Sequence, residues 1–122
     1  MTVEERLWQL VLRLKQKTAE GSVSWEATPN KSTFQTSFPK YSVRLAELPG
    51  EPENDYDIRI YDEGGRLLES ASDVAISKSI ETLTGQESFK AMKELYTMAR
   101  RQALGVEEAL DELLASLDEP GA

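Results

Sequence analysis

Apolar residues recur at three- and four-residue steps near both ends of the chain and at every second residue in the middle, so the pattern itself predicts helices flanking a sheet. Over residues 2–20, Val3, Leu7, Leu10, Val11 and Leu14 share one side of a helix. Thr2 and Glu5 stand at capping-box spacing, where hydroxyl and carboxylate each satisfy a free backbone N–H, and Gly21 can take the left-handed backbone that stops a helix. Trp8 lies beside the stripe and widens it.

From Ser22 the period falls to two. Val23, Trp25 and Ala27 alternate with polar neighbours up to the turn signal Pro29-Asn30, predicting a strand over about 22–28. Phe34, Thr36 and Phe38 predict a second over 32–38, and Tyr41, Val43 and Leu45 a third over 41–48. The segment Pro49–Asp55, rich in proline and acid, reads as a solvated loop. Tyr56, Ile58 and Ile60 predict a strand over 56–62, and Asp62-Glu63-Gly64-Gly65 a tight hairpin into a last strand over 66–71. Short strands in series with short turns imply an antiparallel meander.

Residues 72–85 fit neither period and read as a connecting loop with room for one helical turn. Thr84 and Glu87 repeat the capping spacing, and Phe89, Met92, Leu95, Tyr96, Ala99 and Ala103 predict a helix over 85–104. Beyond Gly105, Val106, Leu110, Leu113, Leu114 and Leu117 predict another over 106–117, with Glu107 and Glu108 suited to the positive end of its dipole. The tail 118–122 is expected to fray. The fold class expected is α+β, in a single domain: an N-terminal helix, a five-stranded antiparallel meander, and a C-terminal helical hairpin packed on the sheet.

Composition narrows the chemistry. The 122 residues include no cysteine and no histidine, which removes thiol catalysis, thiolate metal sites and the commonest general base and metal ligand. No apolar run is long enough to span a membrane and no signal-peptide pattern opens the chain, so a cytoplasmic protein is expected. The formal charge of −8 disfavours direct nucleic-acid binding. That charge comes almost wholly from residues 47–73, at −7, and residues 102–122, at −6.

Four constellations carry candidate chemistry. Asp55 and Asp57 share a strand face within an acidic stretch, but the calcium-loop spacing is absent, and a solvated or protein-binding surface is the expectation. Carboxylate pairs for glycoside cleavage abound in so acidic a chain without marking any cleft, and no nucleophile elbow or phosphate-cradling loop occurs. Residues 99–106 have helix–glycine–helix order, but a recognition helix carrying Glu107, Glu108, Asp111 and Glu112 would set carboxylates against phosphates. Those acids follow Lys90, Lys93, Arg100 and Arg101 in the preceding helix, and internal pairing between the two helices is expected. Core positions are expected for the aromatic residues except Trp8 and Tyr61, which can anchor an interface.

The run 23–45 with Trp25, Phe34, Phe38-Pro39, Tyr41 and Val43, the segment Tyr56-Asp57-Ile58-Arg59-Ile60-Tyr61-Asp62 and the segment Leu95–Arg101 together resemble small bacterial proteins of unknown function. The resemblance implies a natural bacterial domain and carries over no site residue. The expectation is therefore a non-catalytic, cytosolic protein-binding module, of adaptor, immunity or accessory-subunit type, binding another protein and able to form a homodimer. Its expected contact residues are Trp8, Tyr61, Asp55, Asp57, Glu107, Glu108, Asp111 and Glu112, with no cofactor, metal or catalytic residue assigned. The alternatives are a ligand-binding or hydrolytic domain using Asp, Glu and Tyr in a cleft between sheet and helices, and an acidic mimic of nucleic acid.

Overall fold

Thr2 caps the first helix as its spacing predicts: its hydroxyl accepts the Glu5 N–H at 3.1 Å, and the Glu5 carboxylate accepts the Thr2 N–H at 3.3 Å. The computed structural model describes residues 1–119. Helix α1 (Val3–Ala19) buries Leu7, Val11, Leu14 and Thr18. The strands β1 (Glu26–Ala27), β2 (Thr33–Ser37), β3 (Tyr41–Leu48), β4 (Asp55–Asp62) and β5 (Leu67–Ser72) form one antiparallel sheet in chain order. Helices α2 (Asp73–Ser79), α3 (Gly85–Ala103) and α4 (Val106–Asp118) follow. This is the α+β fold that the change of period predicts.

The register explains the two faces. Phe34, Leu45, Ile58 and Ala71 lie side by side across four strands on the inner face. Helix α3 lies over them and buries Ala91, Met92, Leu95, Tyr96 and Ala99. The Tyr96 ring meets Phe34 edge-on at 5.6 Å and lies 5.3 Å from Tyr56, a geometry that adds to plain area burial. Helix α1 reaches the core by packing against α3 and α2, so it sits on the same side of the sheet as the other helices. The opposite face carries the polar row Gln35, Arg44, Arg59 and Ser70.

Several expectations need correcting. The first strand shrinks from 22–28 to Glu26–Ala27 because the backbone before it is claimed by a side chain. Gln102 of α3 accepts the Trp25 N–H at 2.5 Å and donates to the Val23 carbonyl at 3.2 Å, replacing ladder bonds. Residues 73–79, read as connecting loop, form α2, capped by the Ser72 hydroxyl, which accepts the Ala75 N–H at 3.1 Å. Seven residues are too few to show a helical period, and Ile76 is the only apolar residue α2 buries. Phe38 and Tyr41, read as core, are exposed. Their level, paired to Asp62, lies beyond Thr36, Val43 and Ile60, the last inner-face row the helices shield. Of the tail expected to fray, Asp118 still belongs to α4, and residues 120–122 lie outside the described residues.

Candidate protein-interaction surface

The α3–α4 corner is built on Gly105, whose φ of +64° is open to glycine and strained for other residues. Leu104 N–H donates to the Arg100 carbonyl at 3.0 Å and Gly105 N–H to that of Gln102 at 3.3 Å, closing α3 before the chain turns. Helix α4 then leaves the body of the protein. It buries no residue, and Leu110, Leu113, Leu114 and Leu117 are exposed by 53, 60, 59 and 79%. At 100° per residue these leucines form one stripe with Val106. Glu107, Asp111 and Asp118 run along one flank of it, and Glu108 and Glu112 lie on the back.

Burying a leucine side chain stabilises by roughly 1.5–3 kcal/mol, so the stripe holds about 6–12 kcal/mol of unrealised gross burial, before ordering and desolvation costs. An apolar stripe rimmed by carboxylates on an unpartnered helix has the composition of a docking element.

A shallow groove of about 710 Å³ runs along the outward side of α3. Phe89 and Met98, both half-buried, lie toward opposite sides of the helix, and Lys90, Lys93, Thr97 and Arg101 line the face between them. The Lys93 ammonium stands 5.6 Å above the Phe89 ring. Two acids also line the groove, Glu53 and Glu94, and the second is bound by Lys15 of α1. Lys15, with a smaller effect from Lys90, lowers the pKa of the Glu94 carboxyl. Among the described residues, Lys90, Lys93, Arg100 and Arg101 belong to no ion pair, and neither do Glu107, Glu108, Asp111 and Glu112. The internal pairing expected between α3 and α4 is therefore absent there: Glu107 and Glu108 share a cleft with Arg101 without an ion pair, and the rest of α4 buries no residue against α3.

A second cleft of about 440 Å³ lies where the end of α1, around Thr18 and Gly21, meets Met98, Gln102, Glu107 and Glu108. A third depression, about 350 Å³, lies on the outer sheet face beside Gln35, Tyr41, Arg44 and Tyr61. There the Arg44 Nε donates to Gln35 at 2.7 Å and its guanidinium covers the Tyr61 ring at 4.9 Å. Arg59 binds Asp57 at 2.7 Å, and this hydrogen bond raises the guanidinium pKa further.

The residues singled out from sequence thus occupy separate places. Glu107, Glu108, Asp111 and Glu112 are all exposed on α4. Tyr61 and Asp57 share the outer sheet face, as the phase of their strand predicts, but Arg44 and Arg59 engage them. Asp55 is half-buried at the start of β4, opposite Leu48, and Trp8 is half-buried against the core. What sequence reasoning missed is that the leucines of α4 are surface: their stripe was legible, its lack of a partner was not. It also passed over the Ser37-x-x-Lys40 spacing, which runs from the end of β2 into the turn before β3, where the Ser37 hydroxyl accepts from Gln35 at 3.1 Å.

A cluster of perturbed groups lies within the fold. The Tyr56 hydroxyl donates to Glu47 at 3.0 Å, and burial together with that carboxylate pushes the phenol up to about 12. Burial, with Glu47 nearby, raises Tyr96 as well. Asp73, only 3% exposed, accepts the Tyr56 N–H at 2.9 Å, and desolvation raises its carboxyl pKa. None of the three depressions is lined by Glu47, Tyr56, Tyr96 or Asp73. Among the described residues, no three carboxylates converge as a metal ion requires, and no helix is long and apolar enough to cross a membrane. Compared with family models, with curated proteins and with solved structures, the chain matches none of them.

Proposed function

We propose that this protein is a small, non-catalytic, cytosolic protein-binding module that presents α4 to its partner as an amphipathic helix. The observation that carries the reading is the exposure of Leu110, Leu113, Leu114 and Leu117 on a helix that contributes nothing to its own protein's core. The flanking acids suit a partner surface of opposite charge, where they raise the association rate and suppress wrong partners. The absence of histidine and cysteine accords with binding rather than catalysis.

The test compares wild type with a Leu113→Ser/Leu114→Ser/Leu117→Ser variant, both as immobilised bait for native-host extract and in sedimentation on their own. The reading expects an association that wild type makes and the triple-serine protein loses, with an unchanged circular dichroism spectrum. A wild type that is monomeric and captures only what the triple-serine protein also captures overturns it.

The Glu47–Tyr56–Tyr96 cluster favours a second reading, a small-ligand or hydrolytic site using carboxylate and phenol groups. It requires an opening to those groups, and a Tyr56→Phe variant with unaltered ligand binding would remove it.

A further inference from the structure

We infer that the partner of α4 is a second copy of this chain, each protomer laying its α4 in the α3 groove of the other. The inference rests on the protein-binding reading and names its partner. Charge is the first argument. Helix α4 has no basic residue, whereas Lys90, Lys93 and Arg101 line the groove without an ion-pair partner among the described residues, Arg101 standing where the groove meets the cleft of Glu107 and Glu108. Lys15 already engages Glu94, the α3 acid in the groove, so that acid's repulsion of an incoming acidic helix is weakened. Glu53, from the segment before β4, also lines the groove. Glu107, Asp111 and Asp118 along one flank of α4 are the acids that meet the basic residues, and the other flank carries Ala109 and Ser116.

Shape is the second argument. Helix α4 has 13 residues and is about 20 Å long. The groove runs along α3 from Gln86 to Arg101, about 22 Å at the helical rise. Phe89 and Met98 supply apolar surface toward the two sides of this face, where leucines of α4 can pack. Pairing α4 with another α4 would also bury the leucines, but it would bring two wholly acidic helices together.

Topology is the third. Past the left-handed turn at Gly105 only the first turn of α4, through Glu107 and Glu108, shares a cleft with Met98 and Arg101, and no residue of α4 lines its own α3 groove. Reciprocal exchange about a two-fold axis fills both grooves with both helices and closes the assembly at two copies.

The test is a charge swap read by sedimentation equilibrium on the full chain at 5–200 µM, a span of roughly the weak-to-moderate affinity range. One variant carries Lys90→Glu and Lys93→Glu in the groove, the other Glu107→Lys and Asp111→Lys on α4; all four positions are accessible at the surface, and circular dichroism checks that both fold. Wild type is expected at twice the chain mass. Each variant alone sets like charges against each other, and its dissociation constant should rise at least about tenfold, the equivalent of 1.4 kcal/mol. An equimolar mixture restores opposite charges where a groove of one variant receives the helix of the other, and should return the dimer mass.

Monomeric wild type, variants that dimerise as wild type does, or a mixture that stays monomeric would each overturn the exchange. A monomeric wild type leaves the broader reading to the bait comparison with the Leu113→Ser/Leu114→Ser/Leu117→Ser protein, so the two failures are distinguishable.

Discussion

Replacing Asp73 separates two jobs that one buried carboxyl performs. Its Oδ1 accepts the Tyr56 N–H at 2.9 Å, and both residues are buried, so Asp73→Ala leaves a backbone donor without its partner. Such a loss costs about 1–3 kcal/mol. Asp73→Asn keeps an acceptor in the same place and removes a charge that burial disfavours, so its cost at neutral pH should stay below about 1 kcal/mol. With an m-value of roughly 1–3 kcal/mol per molar urea, the alanine variant should lower the unfolding midpoint by about 1 M and the asparagine variant by much less. Fluorescence of the buried Trp25, whose indole donates to Thr18 at 2.9 Å, reports the transition.

The pH dependence supplies a second reading of the same residue. Burial raises the folded-state pKa of Asp73, with Asp55 adding to the rise. The folded state therefore holds this proton more tightly than the unfolded chain. The stability it contributes is fully present below the ordinary aspartate value of about 4 and is lost as pH rises through the folded value. Wild type should thus gain on Asp73→Asn as the solution is acidified through that window. Equal midpoints for the alanine and asparagine variants, or a wild-type advantage that grows with rising pH, would refute the account.

Three further outcomes are expected. Leu95→Ala, at a fully buried position, should cost about 2–5 kcal/mol in urea unfolding, whereas Leu117→Ala on α4, compared at concentrations where both chains are monomeric, should stay within about 0.5 kcal/mol. Gln102→Ala removes both bonds that hold the Val23–Trp25 backbone, and calorimetry should find a loss of about 1–2 kcal/mol with amide exchange at Trp25 accelerated. In an absorbance titration, Tyr56 should ionise only near its raised value of about 12; its stabilising effect is present below pH 10 and lost as pH rises through that value, and Tyr56→Phe should shrink the late phase, leaving the part that the likewise raised Tyr96 contributes.

The main elements were legible because they depend on local pattern. Phe34, Leu45 and Ile58 alternate with polar residues, and that alternation needs no knowledge of what covers the sheet. The first strand was overestimated for a contrasting reason: Val23 and Trp25 alternate correctly, but the acceptor of the Trp25 N–H sits 77 residues away on Gln102. The α3–α4 hairpin shows the same division. Its caps and stripes were readable, but whether the acids of α4 meet the bases of α3 depends on the angle set at Gly105.

Local pattern in the chain thus settled which of the main segments are helix and strand, the antiparallel order of the sheet, and which chemistries lack their usual side chains. Where each amphipathic stripe ends up was a matter for tertiary packing. Periodicity says that an element has an apolar face and says nothing about its partner. Stripes of similar strength meet the core in α1 and α3 and meet solvent in α4. That difference comes from packing direction, a property of the whole chain, and it turns the last leucines from core residues into the protein's proposed means of contact.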